Sequence, residues 1–535
     1  MSNKTIAPIR TVEGPVQGVV VEPGVVAYKG IPYAEPPVGP LRWKPPQPVK
    51  HWTETLPPNE ETPSCFQNRQ NCILVGGGDP HPTSEDCLYL NVWTPEPEAN
   101  ATKRPVMVWI HGGAYILGAG KLPVYHGAPL VKRGAILVTL NYRMGALGFF
   151  AHDALEKDTR ENEPRVNNFG LLDQIAALEW VQRNIAKFGG DPDNVTIFGQ
   201  SAGARSVLAL FASPLVRNRE KPLFHRGVAQ SVYRFPDATQ AQAKERGAKL
   251  AGLCGVKGDN VTAEQLRKIP ARKLMNMDND FTTQQLKGTS NSPVAISGDS
   301  VLPNEAGVID SFLNGQVAAL PLIIGNTSDD GSVVLDVPLV EPGTIVDLAG
   351  LVVNTPRNYY PDLAPQQPLK IRAELGRRLA RDAVFTVTTY NIAKAHNERA
   401  PTWRYYFDYT AENHRATVTK GTRHGDDCIF TMDTLAYAPP FPPGKPAEPV
   451  EVTAKDREVA SHANEYWFQF AVTGAPSSAT GPAWPRHEVG QDKTLVLGAS
   501  FEVKTDFMQQ HHEDAALENM VAFDKVGKAM DNIMG

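Results

Sequence analysis

A serine between two glycines is the strongest chemical signal in the sequence. Ser201 is the centre of a G-x-S-x-G pattern at residues 199–203, between the apolar run NVTIFG and the helix-forming segment QSAGARSVLALF. A nucleophilic serine on a sharp strand-to-helix turn needs small neighbours, and the N–H groups that begin the helix point at charge forming on a substrate. The pattern alone is weak, but this context predicts a nucleophile. The alternative is a structural Gly-rich turn.

The tetrapeptide HGGA, which follows the apolar run at residues 106–110, is the second signal. Backbone N–H groups can approach a developing oxyanion only where side chains are small, and this segment meets that condition. A simple tight turn after a strand is the alternative. The predicted oxyanion hole consists of the backbone N–H groups of Gly112, Gly113, Ala114 and Ala202.

The elements that must position these residues follow from the hydrophobic pattern. Apolar runs predict strands buried on both faces at residues 106–110, 135–143, 194–199 and 320–325. A further strand is predicted at 402–410. The first hundred residues alternate apolar and polar side chains between Pro and Gly turns, which predicts an antiparallel edge region.

Helical periodicity alternates with these strands. Residues 170–190 repeat apolar side chains at three- and four-residue steps and predict a core-facing helix that Gly189 stops. Residues 356–394 are predicted to be mainly helical, and 452–474 to form a long helix stopped by Gly474. The alternation predicts an α/β fold with a mostly parallel sheet covered by helices. Because no segment has the composition of a linker, we expect one catalytic domain over residues 1–535.

The overall composition excludes several classes of partner. The chain is 41% hydrophobic and 21% charged, with a formal charge of −5 and no basic block, which argues against nucleic acid or an anionic membrane as partner. No apolar run is long enough to predict a membrane span, and the N-terminus lacks the apolar core of a signal peptide. We therefore expect a cytoplasmic protein; secretion stays open if a leader has been removed.

The cysteines predict neither a disulfide scaffold nor a metal site. Five cysteines are few for 535 residues, and an odd number leaves at least one unpaired. Cys65, Cys72 and Cys87 lie close enough in sequence for one loop-closing bridge. No cysteine or histidine cluster has the spacing of metal ligands, so we expect no metal and no organic cofactor.

Several longer segments resemble the type B carboxylesterase family, which includes cholinesterases, bacterial p-nitrobenzyl esterases and the non-catalytic neuroligins. Besides the residues around Ser201, the matching segments are YKGIPYAEPPVGPLRW, SEDCLYLNVWTP, MVWIHGGAY, NYRMGALGF, GLLDQIAALEWVQRNIAKFGGDPDNVTIFGQSAG and WFQFAVTGAP. The resemblance covers nearly the whole chain. It implies an α/β-hydrolase fold with helical insertions around the active site.

The resemblance also implies the partners of Ser201. The family places its catalytic acid just before the glycine of a loop that corresponds to GNTSDDG, which makes Asp330 the acid and adjacent Asp329 the alternative. The family usually has Glu there, one methylene longer. His424, in a His-Gly loop, corresponds to the family's general base. The order Ser, acid, His along the chain is that of an α/β-hydrolase.

Three residues near the expected site depart from the family pattern. Gln200 replaces the Glu that commonly precedes the nucleophile, which removes a negative charge near the imidazolium and bears on turnover and pH dependence. Arg205 stands where a small or apolar residue is usual, so it is either solvated or paired with a carboxylate behind the site. Ser231 resembles a family serine near the triad, although Val232 replaces the usual glycine.

Other contacts implied by the resemblance are structural. Arg42 with Glu85 and Arg143 with Asp173 resemble buried salt bridges of the family, and Cys65 with Cys87 resembles a disulfide that closes a loop, although the cytosol would keep these thiols reduced. The segment between these two cysteines contains no Trp, the residue with which cholinesterases bind a quaternary ammonium. We therefore do not expect choline esters to be substrates.

These features together predict a carboxylic ester hydrolase with a Ser-His-Asp triad and an acyl-enzyme intermediate. The expected substrates are small to medium, uncharged esters, and the expected assembly is a monomer or homodimer. A lipase or a polyester-hydrolysing enzyme would use the same residues. A catalytically silent adhesion or binding module is disfavoured, since nucleophile, base, acid and oxyanion donors are all present.

Overall fold

The computed structural model describes residues 5–75, 77–97, 102–159, 163–335, 360, 368–438, 451–488 and 490–512. The strands are β1 (Ile9–Arg10), β2 (Pro15–Val16), β3 (Val19–Glu22), β4 (Val25–Pro32), β5 (Ser64–Cys65), β6 (Thr83–Ser84), β7 (Tyr89–Pro95), β8 (Arg104–Ile110), β9 (Ile136–Leu140), β10 (Gly190–Gln200), β11 (Arg226–Gln230), β12 (Leu322–Thr327), β13 (Thr402–Phe407), β14 (Lys493–Leu497) and β15 (Phe501–Thr505).

The helices lie between these strands. They are α1 (Arg69–Leu74), α2 (Ala128–Arg133), α3 (Gly145–Gly148), α4 (Asp153–Asp158), α5 (Phe169–Asn184), α6 (Ala202–Ala212), α7 (Pro214–Arg217), α8 (Gln240–Leu253), α9 (Ala263–Arg267), α10 (Ala271–Leu274), α11 (Thr283–Leu286), α12 (Val308–Leu313), α13 (Ser332–Leu335), α14 (Pro368–Arg381), α15 (Val387–Asn397), α16 (Cys428–Thr431), α17 (Ala454–Thr473) and α18 (Gln509–His512). A π-helical turn, Asp382–Thr386, joins α14 to α15.

An eleven-stranded sheet, in the order β15-β14-β13-β12-β11-β10-β8-β9-β7-β4-β3, organises the chain. The seven strands from β14 to β9 in that order are parallel. The strands β7, β4 and β3 extend one edge antiparallel, and β15 does so at the other. The parallel sheet and the N-terminal antiparallel edge are both confirmed.

Side chains of the central strands enter two separate cores. Val106, Val108 and Ile110 of β8 pack in a core with residues of α5 and α6, while Met107 and Trp109 of the same strand pack in a second core with α17. A strand buried on both faces needs apolar side chains at every position, which explains its continuous apolar run. Helices cover both faces of the sheet, as predicted.

The predicted strand and helix boundaries shift at specific residues. The strand expected at 320–325 is Leu322–Thr327, because Pro321 has no N–H for a strand ladder and the pairing with β13 continues to Thr327. The strand expected at 135–143 ends at Leu140. Gly189 and Gly474, the predicted helix stops, both have φ of 84° and follow helical segments.

Two further sequence expectations concern helices. The mainly helical segment expected at 356–394 is helical from Pro368 onward, while residues 356–359 and 361–367 lie outside the described residues. Among the helices of the described ranges, none combines the length and the apolar character that crossing a bilayer requires.

The register of the sheet brings the predicted site segments to one edge. In the pairing of β10 with β8, Gly199 lies opposite Ile110, and in its pairing with β11, Gln200 lies opposite Gln230. Gln230 in turn lies opposite Gly325 of β12. The segments that follow β8, β10, β11 and β12 therefore leave the sheet next to one another, at its carboxyl edge.

Candidate active site

Ser201 lies on a strained turn between β10 and α6. Its φ and ψ are 58° and −121°, and its N–H donates to the Gln230 carbonyl at 2.8 Å. A Cβ on Gly203 would lie 2.0 Å from the Ile110 oxygen, and one on Gly199 would lie 2.6 Å from the Gly203 carbonyl carbon, so both positions require glycine. Such a backbone costs about 1–3 kcal/mol and persists only where its surroundings fix it. The turn holds Ser201, which is 8% exposed, at the carboxyl edge.

Asp330 lies against the His424 imidazole. Its Oδ1 is 2.7 Å from His424 Nδ1, and its Oδ2 accepts from the Thr327 N–H at 2.7 Å. Asp330 is fully buried, with 0% exposure. The Asp329 carboxylate instead pairs with Arg377, at 2.9 and 3.1 Å. Of the two acids that the sequence left open, Asp330 is the one in contact with the imidazole.

The other imidazole nitrogen faces Gln200. Gln200 Nε2 is 3.0 Å from His424 Nε2. When Nδ1 carries its proton toward the carboxylate, a neutral Nε2 accepts from the Gln200 amide. Within the described residues, the hydrogen bonds of His424 do not include the Ser201 hydroxyl. Ser201 and Gln200 both border Gly112, since a Cβ on Gly112 would lie 3.0 Å from Gln200 Oε1 and 3.2 Å from Ser201 Cβ.

The segment after β8 presents backbone amides beside the serine. Its backbone is left-handed at Gly113, Ala114 and Tyr115, with φ of 103°, 54° and 60°. Among the described residues, the N–H groups of Gly113 and Ala114 have no acceptor. Ala202 begins α6, whose preceding residue makes no side-chain cap bond. Free N–H groups from two segments therefore border Ser201, the arrangement that an oxyanion hole requires.

The sequence profile of the carboxylesterase family matches residues 4–517. The chain belongs to the carboxylesterase family. Fumonisin B1 esterase of Sphingopyxis macrogoltabida is 33% identical over 485 residues, which cover 89% of this chain and 84% of that protein. Para-nitrobenzyl esterase of Bacillus subtilis is 32% identical over 509 residues, covering 93% and 96%. The protein is accordingly a carboxylesterase, an enzyme that hydrolyses carboxylic esters.

Solved structures agree with this assignment. A thermophilic p-nitrobenzyl esterase superposes with a TM-score of 0.75 at 31% identity, covering 95% of this chain and 99% of that one. A carboxylesterase of Geobacillus stearothermophilus gives 0.76 at 28% identity, covering 96% and 100%. The α/β-hydrolase fold that the sequence predicted is confirmed.

Arg205 of the carboxylesterase is paired rather than solvated. Its guanidinium is 1% exposed and lies 2.5 Å from Asp237 Oδ1. It also donates to the carbonyls of Tyr233 at 2.9 Å and Phe235 at 3.1 Å. The helix α6, which begins after Ser201, therefore holds the segment that follows β11.

The structural contacts implied by the family resemblance are present in the carboxylesterase. Arg143 binds Asp173 through Nη2 at 2.7 Å and Nε at 2.8 Å, both residues being buried. Arg42 Nη2 donates to Glu85 at 2.8 Å. The remaining contact is the disulfide Cys65–Cys87, while Cys72 is a free, buried thiol.

Ser231, expected near the triad, lies at the carboxyl end of β11. It is fully buried with φ of 57°, and its N–H donates to the Gly325 carbonyl at 2.8 Å. Its hydroxyl has no hydrogen-bond partner among the described residues. Ser231 therefore follows the residue whose carbonyl holds the nucleophile turn, and contacts neither His424 nor Asp330 through a hydrogen bond.

A second buried carboxylate, in the loop that carries His424, escaped the sequence reasoning. Asp427 is 0% exposed, and its Oδ2 accepts from Tyr405 Oη and Gln230 Nε2, both at 2.9 Å. Burial, with a smaller contribution from the charge of Asp330, raises the pKa of Asp427 to about 6, and the hydrogen bonds from Gln230 and Tyr405 oppose this rise. The sequence HGDD displays this aspartate, but nothing in the pattern distinguishes it from its half-buried neighbour, Asp426.

An aromatic wall beside His424 also escaped the sequence reasoning. Phe385, in the π-helical turn, has its ring centroid 5.2 Å from that of His424. Tyr233 meets Phe385 edge to face at 6.3 Å, and Phe235 lies 5.4 Å from Tyr233. A π-helical turn shifts the helical register and often occurs at functional sites, yet no residue type announces it. Among the described residues, no cluster of metal-ligating side chains accompanies the site.

Proposed function

We propose that this carboxylesterase cleaves small to medium, uncharged esters with Ser201 as nucleophile, His424 as general base and Asp330 as the acid that orients it. The 2.7 Å contact between His424 Nδ1 and Asp330 Oδ1, beside the strained serine turn, is the observation that carries this proposal. A buried carboxylate on Nδ1 selects the tautomer whose Nε2 accepts a proton and stabilises the imidazolium.

The first half of the proposed reaction is acylation. Ser201 Oγ attacks the ester carbonyl carbon while His424 Nε2 takes the hydroxyl proton. The carbonyl oxygen becomes an oxyanion and accepts hydrogen bonds from the N–H groups of Gly113, Ala114 and Ala202, with Gly112 supplying the clearance or a further N–H. Collapse of the intermediate breaks the C–O bond, and His424 returns the proton to the departing alcohol.

The second half is hydrolysis of the acyl-enzyme. Water gives a proton to His424 Nε2 and attacks the acyl carbon, and the bond to Ser201 Oγ then breaks as the serine recovers its proton. In both halves the Gln200 amide must turn away from Nε2 before the proton arrives. Its Oε1 is then able to accept from the imidazolium N–H.

The surroundings of His424 favour uncharged acyl groups. Phe385 packs against the imidazole and Tyr233 packs against Phe385, so this side of the base is apolar. The cation next to the base, Arg423, is paired with Asp426 at 3.0 and 3.1 Å, which neutralises its charge. An anionic acyl group would therefore find an aromatic wall and a neutralised arginine rather than an open cationic pocket.

Burst kinetics on p-nitrophenyl butyrate test the proposed nucleophile. The protein should release p-nitrophenol in a burst equal to its active-site concentration, followed by slower turnover. Ser201→Ala should remove both phases while the far-UV circular dichroism spectrum is unchanged. Retention of full activity by Ser201→Ala would reject this function.

The acyl-chain preference separates the alternatives that share this chemistry. The ratio kcat/KM across p-nitrophenyl esters of increasing acyl length should peak at short to medium chains. A maximum at long chains with activation at an oil interface would indicate a lipase, and release of soluble products from a polyester film would indicate a polyester hydrolase. Fumonisin B1 and p-nitrobenzyl esters belong in the panel because two relatives are named for them.

The remaining expectations concern the chain as a whole. We propose that residues 1–535 form one catalytic domain, which works as a monomer or homodimer without metal or organic cofactor. The cytoplasmic location stays a prediction from the sequence.

A further inference from the structure

Gln67, which takes no part in the proposed reaction, binds both the N–H and the carbonyl of Gly118. Its Oε1 accepts from the Gly118 N–H at 2.7 Å, and its Nε2 donates to the Gly118 carbonyl at 2.7 Å. The same Nε2 donates to the Cys65 carbonyl at 3.1 Å. Gln67 is 1% exposed, so these bonds are shielded from water. The side-chain amide therefore fixes both the position and the rotation of the Gly118 backbone.

Gly118 is packed directly against the start of the oxyanion segment. Its φ is 106°, and a Cβ there would lie 2.3 Å from His111 Nδ1 and 2.7 Å from the Gly112 carbonyl oxygen. His111 is itself held by stacking on Tyr142, with ring centroids 4.5 Å apart, and its carbonyl accepts from Tyr142 Oη at 2.9 Å. A displacement of Gly118 would therefore reach Gly112 through direct contact.

The segment between these two glycines needs external support. Ala114 and Tyr115 both have left-handed φ angles, which residues with a Cβ adopt only where neighbours impose them. The Ala114 carbonyl accepts from the Ser292 hydroxyl, and the Tyr115 carbonyl accepts from the Gly145 N–H at 2.6 Å. These contacts fix the backbone directly after Gly113 and Ala114, whose own N–H groups make no hydrogen bond to the described residues. Gln67 supplies the corresponding contacts at the end of the segment.

Gln67 is in turn tied to the main sheet. It follows β5, which pairs with β6 at Cys65 and Ser84, and Cys65 is bonded to Cys87, two residues before β7. The strand β7 belongs to the eleven-stranded sheet. Gln67, two residues after Cys65, is thus anchored to the sheet through the bond to Cys87.

We propose that Gln67 is a positioning residue for the oxyanion hole, which it holds in place through its paired hydrogen bonds to Gly118. This inference rests on the proposed function of Ser201 and its neighbouring amides. The role is distinct from that of a general structural contact, because it should affect the stabilisation of the oxyanion more than the binding of the ester in its ground state.

The variant Gln67→Met tests this role, since it keeps the side-chain length and removes both bonds to Gly118. We expect kcat to fall about 10- to 100-fold with KM nearly unchanged, because a small misplacement of oxyanion donors has effects of this order. The second readout is the dissociation constant of an aryl trifluoromethyl ketone, to which the Ser201 hydroxyl adds reversibly to give a hemiketal oxyanion. This constant should rise by the same factor as kcat/KM falls.

Gln182→Met is the matched control. Gln182 Nε2 donates to two backbone carbonyls, those of Pro192 at 2.8 Å and Leu223 at 3.1 Å, so the substitution also deletes an amide that bridges two segments. These segments lie near the amino ends of β10 and β11, at the edge of the sheet opposite to Ser201. Gln182→Met should lower the Tm and leave kcat, KM and the inhibitor constant within about twofold.

The outcomes are separable. A Gln67→Met variant that loses thermal stability like the control, yet keeps wild-type kcat and inhibitor affinity, would overturn the positioning role, as would a rise in KM alone. If Gln67→Met does not fold, Gln67→Glu decides by the same two readouts, since it keeps an acceptor for the Gly118 N–H and loses the donor. Loss of covalent inhibitor binding in Ser201→Ala must accompany these tests; if Ser201→Ala binds and turns over normally, the proposed function fails rather than the role of Gln67.

Discussion

Two buried aspartates lie in neighbouring regions of the candidate active site, one in the segment that follows β12 and one in the loop that carries His424. Asp330 follows β12 and faces His424 at 2.7 Å. Asp427 precedes α16 and faces Tyr405 and Gln230, both neutral donors, at 2.9 Å. Both carboxylates are completely buried. Asp330 and Asp427 are therefore the same type of residue with the same burial, and they differ in their partners.

The difference shows that the partner, and not burial alone, decides what a buried carboxylate can do. A partner that becomes cationic gains from the neighbouring negative charge, so Asp330 is suited to stabilise an imidazolium. Two neutral donors offset less of the desolvation, and the pKa of Asp427 rises to about 6. Asp427 is thus suited to hold β11, β13 and the start of α16 together.

Removing the charge of each aspartate in turn gives the largest expected effect. Asp330→Asn should lower kcat about 10⁴-fold, because an amide cannot hold the required tautomer of His424. Asp427→Asn should change kcat only several-fold. The kcat of Asp329→Asn should lie between those of the wild type and Asp330→Asn. Steady-state rates on one p-nitrophenyl ester measure all three. A larger loss in Asp329→Asn than in Asp330→Asn would move the acid to Asp329.

Stability as a function of pH sharpens the comparison for Asp427. Its pKa is about 6 in the folded protein against an ordinary 3.8, so between these values the folded state retains a proton that the unfolded state has released. The free energy of unfolding therefore falls as pH rises from about 4 to 6, by up to about 3 kcal/mol, and stays lower above that. Asp427→Asn should lack this decline. Urea unfolding at a series of pH values measures it, and parallel curves for the two proteins would contradict the assignment.

A third carboxylate, introduced by Gln200→Glu, gives the smallest effect. A negative charge beside His424 Nε2 stabilises the imidazolium relative to the neutral ring. The acid limb of kcat/KM should move to higher pH by about one unit, equivalent to about 1.4 kcal/mol. Gln200→Leu, which adds no charge, serves as the control and should show no upward shift. An unchanged profile in Gln200→Glu would mean that the side chain leaves the imidazole when substrate binds.

The central sheet was predictable because burial on both faces forces an unbroken apolar run. The runs that became β8 and β10 gave the strands and the turn that carries Ser201. The strand β12 begins two residues later than expected, since Pro321 cannot donate to the ladder. These errors are local because the pattern reports which residues are buried, whereas hydrogen bonding determines where the pairing ends.

The rest of the site was predictable only where a residue type carries its own signal. Ser201 and the glycines after β8 are marked by steric need, while His424 and Asp330 were identified through the family resemblance alone. Gln67 and Phe385 gave no signal, because their roles come from contacts between residues far apart in sequence. The sequence marks Arg205 as unusual, but its partner Asp237 becomes apparent only in the folded structure.

The π-helical turn at Asp382–Thr386 makes the aromatic wall sensitive to chain length. In an α-helix each residue advances the rotation by about 100°, so deletion of one residue within the turn would rotate α15 by that angle relative to α14. Thr389, whose hydroxyl donates to Asn326 at 3.2 Å, would then lose its contact with β12, the strand that leads to Asp330. The number of residues in this turn therefore fixes how α15 is rotated relative to α14, a property that a substitution without a change in chain length leaves intact.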